Sequence, residues 1–219
     1  MKLNCKNLQV VLFDWDGTLA QSDQPRVFAI NKVLQEYNLP EWNVVMHQRN
    51  DMLSFLDNFP NIFGTNAKEA YCKFCQYYTK YVKQGIKSYA NADKIISFFR
   101  SKGIKVALMT NKDRQLLEFE LPMLYPVEWF DKIVCGHEAP RDKPYGDQAI
   151  YTLNGLIDFA HISPETVWII GDSKLDNLCA SSINALPIRI NTPFTEEEKD
   201  ICKNVIFFQD YLSLLKSIS

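Results

Sequence analysis

A short apolar strand that ends in two carboxylates constrains this chain more than any other feature. Residues 8–13 are mostly branched apolar residues, which is typical of a parallel strand buried on both faces. Asp14 and Asp16 follow directly, and Gly17 then breaks the strand. Because ligands bind at the carboxyl ends of parallel strands, this pattern predicts an α/β fold with a polar site here.

The same residues also permit a simpler interpretation. Asp and Gly are common in turns, so Asp14 to Gly17 could form a polar turn without function. The two interpretations differ in what should follow along the chain. A site requires further polar groups at the ends of neighbouring strands, whereas a turn requires none.

The composition indicates a globular protein of ordinary size. Its 219 residues, 47% of them hydrophobic, can bury a core in one domain or in one domain that carries an insertion. The formal net charge is −2, and the chain has no long basic run. These features argue against nucleic acid as a partner.

Cysteine usage and hydropathy indicate where the protein works. Six cysteines are scattered along the chain without a preceding secretory signal, which predicts free thiols in a reducing compartment. Cys72 and Cys75 lie in a helical aromatic stripe, so helix packing is favoured over metal or redox chemistry. No apolar stretch approaches the roughly 20 residues that span a bilayer. We therefore expect a cytoplasmic monomer or small homo-oligomer without a membrane partner.

From residue 88 onward, helices alternate with short apolar strands. This alternation is typical of a doubly wound, Rossmann-like parallel sheet. Strands are predicted at residues 106–109, 132–135, 167–170, 187–190 and 205–208, and helices at 92–102, 147–157 and 175–182.

Between the first strand and these units, the periodicity is helical only. Helices are predicted after Pro25, near residues 44–59, and along an aromatic stripe that ends at Gly85. The stripe consists of Tyr71, Phe74, Tyr78 and Tyr81. Because about sixty residues are too many for an ordinary connection, we predict an inserted all-helical cap with a small core of its own. This cap segment covers residues 21–87, and the catalytic core covers residues 1–20 and 88–219.

Three further polar clusters follow predicted strands of the core. They are Thr110-Asn111, Lys143-Pro144 and Gly171-Asp172-Ser173-Lys174-Leu175-Asp176. Singly, Asp172 and Asp176 could be helix caps and Lys143 a solvated loop charge. The carboxyl ends of parallel strands share one edge of a sheet, however, so the clusters should meet the first two aspartates. Carboxylates, a hydroxyl and an ammonium together suit Mg²⁺ and a phosphoryl group.

In this order, the four segments resemble the motifs of the haloacid dehalogenase superfamily of phosphatases. The matching patterns are Asp-x-Asp-Gly-Thr from Asp14, the Thr-Asn pair, the Lys-Pro loop and Gly-Asp-Ser-x-x-x-Asp. The resemblance covers nearly the whole chain. The helical insertion and the stretch Pro140-Arg141-Asp142-Lys143-Pro144 are similar to the phosphoglycolate-phosphatase-like branch.

The resemblance implies a Mg²⁺-dependent hydrolysis of a phosphomonoester. Asp14 would attack phosphorus to give an aspartyl phosphate, and Asp16 would protonate the leaving oxygen and later deprotonate water. Thr110 and Asn111 would bind the substrate phosphoryl group, and Lys143 would bind it while neutralising the developing charge.

The resemblance also implies a metal site. Asp172 would coordinate Mg²⁺ together with Asp14 and the backbone carbonyl of Asp16. Asp176 would reach the ion only through water or through another ligand. The substrate would be a small phosphorylated metabolite.

Several alternatives stay open at this point. Asp16 argues against the dehalogenase and phosphonate-cleaving members of the superfamily, which lack an acid/base aspartate there. A phosphomutase of the same fold and a non-catalytic binding module remain. Tyr145-Gly146 replaces the Ala-Pro that commonly follows Lys-Pro in phosphoglycolate-phosphatase-like chains, so the substrate is not specified.

The remaining candidates carry weaker signals. His47, His137 and His161 share no local metal-ligand spacing and are interpreted as surface or packing residues. Arg49 could hold a substrate anion, although an exposed cap arginine is the favoured interpretation.

Overall fold

Six parallel strands form one sheet at the centre of the computed structural model, which describes residues 2–48, 50, 52–201 and 204–218. The strand order is β3-β2-β1-β4-β5-β6. In chain order, the strands are β1 (Val10–Phe13), β2 (Lys105–Met109), β3 (Lys132–Val134), β4 (Val167–Gly171), β5 (Leu186–Ile190) and β6 (Ile206–Phe208). The predicted doubly wound α/β fold is therefore confirmed.

Helices cover both faces of the sheet and fill the insertion after β1. They are α1 (Asp23–Glu36), α2 (Trp42–Val45), α3 (Phe59–Phe63), α4 (Ala67–Val82), α5 (Ala92–Ser101), α6 (Arg114–Leu124), α7 (Asp147–Leu153), α8 (Lys174–Ser182), α9 (Glu196–Ile201) and α10 (Tyr211–Ser217). The sequence analysis did not predict α6, α9 or α10. It extended α7 to residue 157, whereas the helix ends before Gly155, which has a φ of +85°.

Strand β1 lies between β2 and β4 and is fully buried. Alternate side chains enter two different cores: Val11 and Phe13 pack on one face of the sheet, and Val10 and Leu12 on the other. This explains why the strand is apolar throughout. It also fixes the end of β1 at the middle of the sheet edge, where neighbouring loops converge.

The cap segment is helical, as predicted, but the buried part of its aromatic stripe joins the hydrophobic core on one face of the sheet and does not form a core of its own. Phe74 and Tyr78 of α4 are buried, and Phe59 of α3 packs against Phe74. The predicted helix near residues 44–59 is broken between α2 and α3. The Asn58 amide there donates to the carbonyls of Asn50 and Ser54, which competes with continuous helical hydrogen bonding.

The two connections of the cap segment to the sheet lie side by side. Ala20 and Ser88 form an antiparallel bridge, and the Gln21 amide donates to the Lys87 carbonyl over 2.8 Å. The Gln21 side chain also donates to the Ser88 carbonyl. The chain thus leaves and rejoins the core at one place. The boundaries at residues 21 and 87 stay a prediction.

The described cysteines are free thiols, and Cys202 lies outside the described residues. Cys72 and Cys75 lie on helix α4, where Cys75 packs against the main core and Cys72 is exposed. Among the described helices, none combines the length and the apolar character needed to cross a bilayer.

Candidate active site

The polar ends of β1, β2 and β4 meet at one edge of the sheet, at the floor of a cavity of about 890 Å³. Asp14, Thr110 and Asp172 extend these strands, and Lys143 enters from the loop after β3. Side chains of the cap segment form the opposite wall. The four predicted segments are therefore brought together, as the strand-end argument requires.

Lys143 lies at the centre of this edge and is only 4% exposed. Its ammonium is 2.6 Å from Oδ1 of Asp14 and 2.6 Å from Oδ1 of Asp176, and it also donates to the Met109 carbonyl. Burial opposes the charge, but the two carboxylates hold the pKa of Lys143 well above its usual range. Lys143 is therefore a permanent cation beside Asp14.

Asn111 fixes the loop that carries Lys143. Its side-chain amide donates to the Lys143 carbonyl over 2.8 Å, and its side-chain oxygen accepts the Lys143 backbone N–H at 3.1 Å. This paired contact makes Asn111 a support for Lys143. The expected binding of substrate by Asn111 stays a prediction.

Thr110 is buried at the end of β2 and lines the cavity. Its hydroxyl oxygen accepts the backbone N–H of Lys112 at 3.2 Å, which leaves the hydroxyl hydrogen available for another acceptor. The geometry is compatible with the predicted contact to a phosphoryl oxygen.

Asp176 serves the first turn of α8 and the site at once. Its Oδ2 accepts from the backbone N–H of Ser173, and its own backbone N–H donates to the Ser173 hydroxyl oxygen, so the two residues form a capping box. The Ser173 hydroxyl also donates to Oδ2, while Oδ1 faces Lys143. The capping interpretation of Asp176 is thus confirmed, while its expected place near a metal ion stays a prediction. A helix cap here also holds the ammonium in place.

Gly17 permits the close approach of Asp172 to the end of β1. Its φ is +78°, and a Cβ at this position would lie 2.2 Å from Oδ2 of Asp172. A larger residue would therefore be strained and would displace this carboxylate.

The acidic groups are suited to a divalent cation. Asp14, Asp172 and Asp176 each place a carboxylate oxygen within 4.8 Å of the other two. Burial, followed by the charges of Asp14 and Asp176, raises the pKa of Asp172 well above its usual value. Lys143 supplies one positive charge against three carboxylates, so the oxygen donors and their excess negative charge fit a hard divalent ion.

Asp14 is also perturbed. Burial is the largest cause and raises its pKa to about 6, with Lys143 acting in the opposite direction and Asp176 adding to the increase. A carboxylate with a pKa near neutrality is typical of a catalytic group.

The raised pKa of Asp14 predicts how pH changes the stability of the metal-free protein. Between the ordinary pKa of about 4 and the folded value of about 6, the folded protein binds more protons here than the unfolded chain. The contribution of Asp14 to the free energy of unfolding therefore falls as pH rises, by up to about 3 kcal/mol. Asp14→Asn removes this dependence.

Urea unfolding of both proteins in EDTA measures the effect. From about pH 4 to pH 7, the variant should gain stability relative to the wild type. A stability difference that stays constant over this range would contradict the assignment.

Asp16 is held by residues that the sequence analysis did not identify. Its Oδ1 accepts from the Ser22 hydroxyl and from the Lys112 ammonium, the latter at 2.8 Å. Burial raises the pKa of Asp16, but the charges of Lys112 and Arg26 outweigh it, so the net pKa lies below the usual range.

Lys112 connects Asp16 to two further buried groups. Its ammonium is 3.0 Å from Oε1 of Glu120 and donates to the Tyr78 hydroxyl over 2.9 Å. Burial raises the pKa of Glu120, while the Lys112 charge lowers it. The signal that could have revealed Glu120 is its place on the buried face of α6, beside Leu116, Leu117 and Leu121.

Arg26 of α1 is a further residue that the sequence analysis did not identify. It lines the cavity, and its Nε is buried without a hydrogen-bond partner among the described residues. Burial opposes its charge, but Asp23, Asp16 and Asp172 together raise its pKa. The Arg26 guanidinium of the cap segment therefore lies near the carboxylates of Asp16 and Asp172.

The histidines lie apart from Asp14. His47 is on the cavity wall, and His161 lies at the far end of the core. The exposed His137 lies near Asp57 and Asp142, at 3.6 Å and 3.9 Å. Arg49 lies outside the described residues, so its suggested role stays a prediction.

The fold and the site together are those of a hydrolase that acts at the carboxyl edge of a parallel sheet. The model of the haloacid dehalogenase-like hydrolase family matches residues 11–189, and the chain belongs to this family. The match runs from the second residue of β1 to the next-to-last residue of β5 and includes the four polar segments. The family predicted from the sequence motifs is confirmed.

Comparisons with individual proteins agree. The chain is 29% identical to a phosphoglycolate phosphatase of Aquifex aeolicus over 173 residues, or 77% of this chain and 78% of that protein. It is 25% identical to the pyrophosphatase PpaX of Bacillus cereus over 181 residues, or 80% and 77% of the two chains. These relatives confirm the prediction of an enzyme of the phosphatase type, similar to the phosphoglycolate-phosphatase branch.

A solved structure from Thermotoga maritima, described as a β-phosphoglucomutase, also has this fold. It superimposes with a TM-score of 0.72 at 19% identity, over 95% of this chain and 99% of that chain. At this identity, the similarity concerns the fold alone.

Proposed function

We propose that this protein is a Mg²⁺-dependent phosphomonoester hydrolase that acts on a small phosphorylated metabolite through an aspartyl phosphate on Asp14. One observation carries the proposal: the Lys143 ammonium lies 2.6 Å from Asp14 and 2.6 Å from Asp176, at the floor of the cavity beside Asp172. A nucleophilic carboxylate, a fixed cation and spare oxygen ligands are the groups that phosphoryl transfer requires.

In the first half-reaction, an oxygen of Asp14 forms a bond to phosphorus as the bond from phosphorus to the leaving oxygen breaks. Asp16 passes a proton to that leaving oxygen, which requires that its carboxyl take up a proton before the step, since Lys112 and Arg26 favour the ionised form without substrate. In the second half-reaction, water attacks phosphorus, its proton goes to Asp16, and the Asp14 carboxylate is released with inorganic phosphate. Two modest barriers thereby replace one high barrier.

Thr110 and Lys143 serve the phosphoryl group in both steps. The Thr110 hydroxyl donates to a phosphoryl oxygen, and the Lys143 ammonium balances the charge that develops on the equatorial oxygens. Asn111 keeps the Lys143 loop at the correct distance from Asp14. Because these groups are already in place, little reorganisation accompanies the reaction.

Asp14, Asp172 and the Asp16 carbonyl would hold the Mg²⁺ ion, with Asp176 retained by Lys143. When bound, the ion offsets the mutual repulsion of the carboxylates and of the substrate phosphate. The acidic cluster and the raised pKa values of Asp14 and Asp172 support this assignment.

The cavity supports a small substrate that carries a second polar or anionic group. Its cap wall presents the Arg26 guanidinium together with the aromatic side chains of Phe55, Phe74 and Tyr78. A guanidinium suits a carboxylate or a second phosphate. The cytoplasmic location and the monomeric or small homo-oligomeric state stay predictions.

A substrate assay tests the function directly. The protein is expected to release phosphate from 4-nitrophenyl phosphate with Mg²⁺, and EDTA should lower this rate by at least about 100-fold until Mg²⁺ is restored. A panel of glycolate phosphate, sugar phosphates, nucleotides and pyrophosphate then identifies the substrate.

The same assay separates the alternatives. A phosphomutase would interconvert sugar phosphates with little release of inorganic phosphate. A binding module would release nothing from any ester under either condition, and that result would overturn the proposal.

A further inference from the structure

The group formed by Lys112, Glu120, Trp15 and Tyr78 lies behind Asp16, and the hydrolysis described above does not use it. Lys112 is at its centre, with its side chain only 7% exposed. Its ammonium contacts Oδ1 of Asp16, Oε1 of Glu120 and the Tyr78 hydroxyl, at 2.8, 3.0 and 2.9 Å. It also lies 4.6 Å from the centre of the Tyr78 ring. Three residues thus hold one buried ammonium, and Tyr78 does so through both its hydroxyl and its ring.

Glu120 is a charged residue in an apolar setting. It is 0% exposed, and its neighbours on the buried face of α6 are leucines. Burial of a carboxylate is costly unless it is paired and hydrogen-bonded. The Trp15 indole N–H donates to Oε2 over 2.7 Å, whereas Oε1 forms an ion pair with the Lys112 ammonium at 3.0 Å but accepts no hydrogen bond from the described residues. Glu120 is thus held by the residue between the two aspartates of the first motif.

The two carboxylate oxygens of Asp16 differ in their hydrogen bonds. Both Ser22 and Lys112 donate to Oδ1. Oδ2 accepts no hydrogen bond from the described residues, and Asp16 lines the cavity. A carboxylate clamped at one oxygen cannot rotate freely, so the other oxygen is presented in a fixed direction.

We propose that Lys112 and Glu120 are positioning residues for proton transfer: Glu120 fixes the Lys112 ammonium, and Lys112 clamps Oδ1 of Asp16 so that Oδ2 meets the leaving oxygen. The inference rests on the proposed function and adds to it. Without Glu120, Asp16 would be the only carboxylate that holds the Lys112 ammonium, beside the neutral Tyr78 hydroxyl. With Glu120 in place, a second and fully buried carboxylate also fixes the position of Lys112.

The position of the clamp predicts a dependence on the leaving group. Phenolate is a poor leaving group that needs a proton as the bond to phosphorus breaks, whereas 4-nitrophenolate leaves readily without one. A displaced Asp16 therefore slows the first half-reaction for phenyl phosphate far more than for 4-nitrophenyl phosphate. A general loss of structure would slow both by the same factor.

Single-turnover measurements with enzyme in excess and Mg²⁺ present isolate this step. Lys112→Met is expected to lower the rate constant for phenol release by about 100-fold, and that for 4-nitrophenol release by less than about threefold. Glu120→Gln, which preserves size, should act in the same direction by about tenfold, because the acceptor for Trp15 remains while the charge is lost.

Lys73→Met is the matched control, since Lys73 forms a 2.8 Å ion pair with Glu36 outside the cavity. Both rate constants should be unchanged in that variant. Should Lys112→Met fail to fold, Glu120→Gln still tests the inference, with circular dichroism establishing its fold.

Equal slowing of the two esters, or no slowing of either, in a folded variant overturns the positioning role while the proposed hydrolysis stands. A wild-type protein that releases neither phenol nor 4-nitrophenol overturns both.

Discussion

Asp14→Asn is expected to reduce phosphatase turnover by at least about 10⁴-fold while the fold is retained. The amide oxygen is a poor nucleophile, so no aspartyl phosphate can form. The amide has nearly the volume of the carboxylate and can still accept from Lys143, so the sheet edge should keep its geometry. Initial rates with 4-nitrophenyl phosphate and Mg²⁺, together with circular dichroism, measure the two effects.

Asp93→Asn is the control for this variant, because Asp93 lies exposed in the first turn of α5, away from the cavity. It should retain the wild-type rate. Acid-quenched protein should carry phosphate on the wild-type chain and none on the Asp14 variant. Normal turnover by the Asp14 variant would remove this residue as the nucleophile.

Lys143→Met should lower turnover by about 10³-fold and also destabilise the protein. The change leaves Asp14 and Asp176 without their shared cation in a buried site, and breaking such a pair costs about 3–5 kcal/mol. The pKa of Asp14 should rise further because Lys143 now holds it down. The fraction of ionised nucleophile at pH 7 falls accordingly.

Turnover rates of Lys143→Met between pH 6 and pH 9 distinguish two causes of its lower activity, the loss of the Lys143 charge at the phosphoryl group and the protonation of Asp14. If protonation of Asp14 contributes to the loss, part of the activity returns as pH rises. Lys94→Met, which removes an exposed lysine on α5, is the control and should behave as the wild type. An Lys143 variant with unchanged turnover would exclude any electrostatic role for this ammonium.

The residues that the sequence revealed are those fixed by local geometry. Asp14 extends a strand that is apolar because both faces are covered, and Asp172 extends another, so their meeting follows from the rules of a parallel sheet. Asp176 could likewise be located from the first turn of α8. The broad architecture follows from the same alternation of short buried strands and helices.

The residues that the sequence did not reveal depend on contacts between distant elements. The role of Glu120 becomes visible only in the folded protein, where α6 packs so that the indole N–H of Trp15, 105 residues earlier in the chain, donates to its carboxylate. Helix α6 was itself missed, because Pro122 lies in its last turns and charged residues surround its start. Lys112 sits beside the predicted Thr110-Asn111 pair, yet a lysine after a strand is usually solvated.

Asn111 is a residue whose location the sequence predicted but whose hydrogen-bond partners it did not. The sequence places its side chain at the correct edge, but it cannot say that both amide atoms are used by the backbone of Lys143. The break between α2 and α3 has a similar origin, since Asn58 satisfies several backbone groups at once. Whether a side chain hydrogen-bonds to nearby backbone groups depends on the direction in which it points, and hydrophobic periodicity does not predict that direction.

The β-bridge between Ala20 and Ser88 has a consequence for how such an enzyme can change its substrate. The insert between them interrupts none of the six strands, so it can be remodelled without changing the hydrogen bonds of the sheet. Ser22 and Tyr78 of the insert contact Asp16 and Lys112, however, so selectivity can diverge with the proposed chemistry unchanged only where these two side chains are kept.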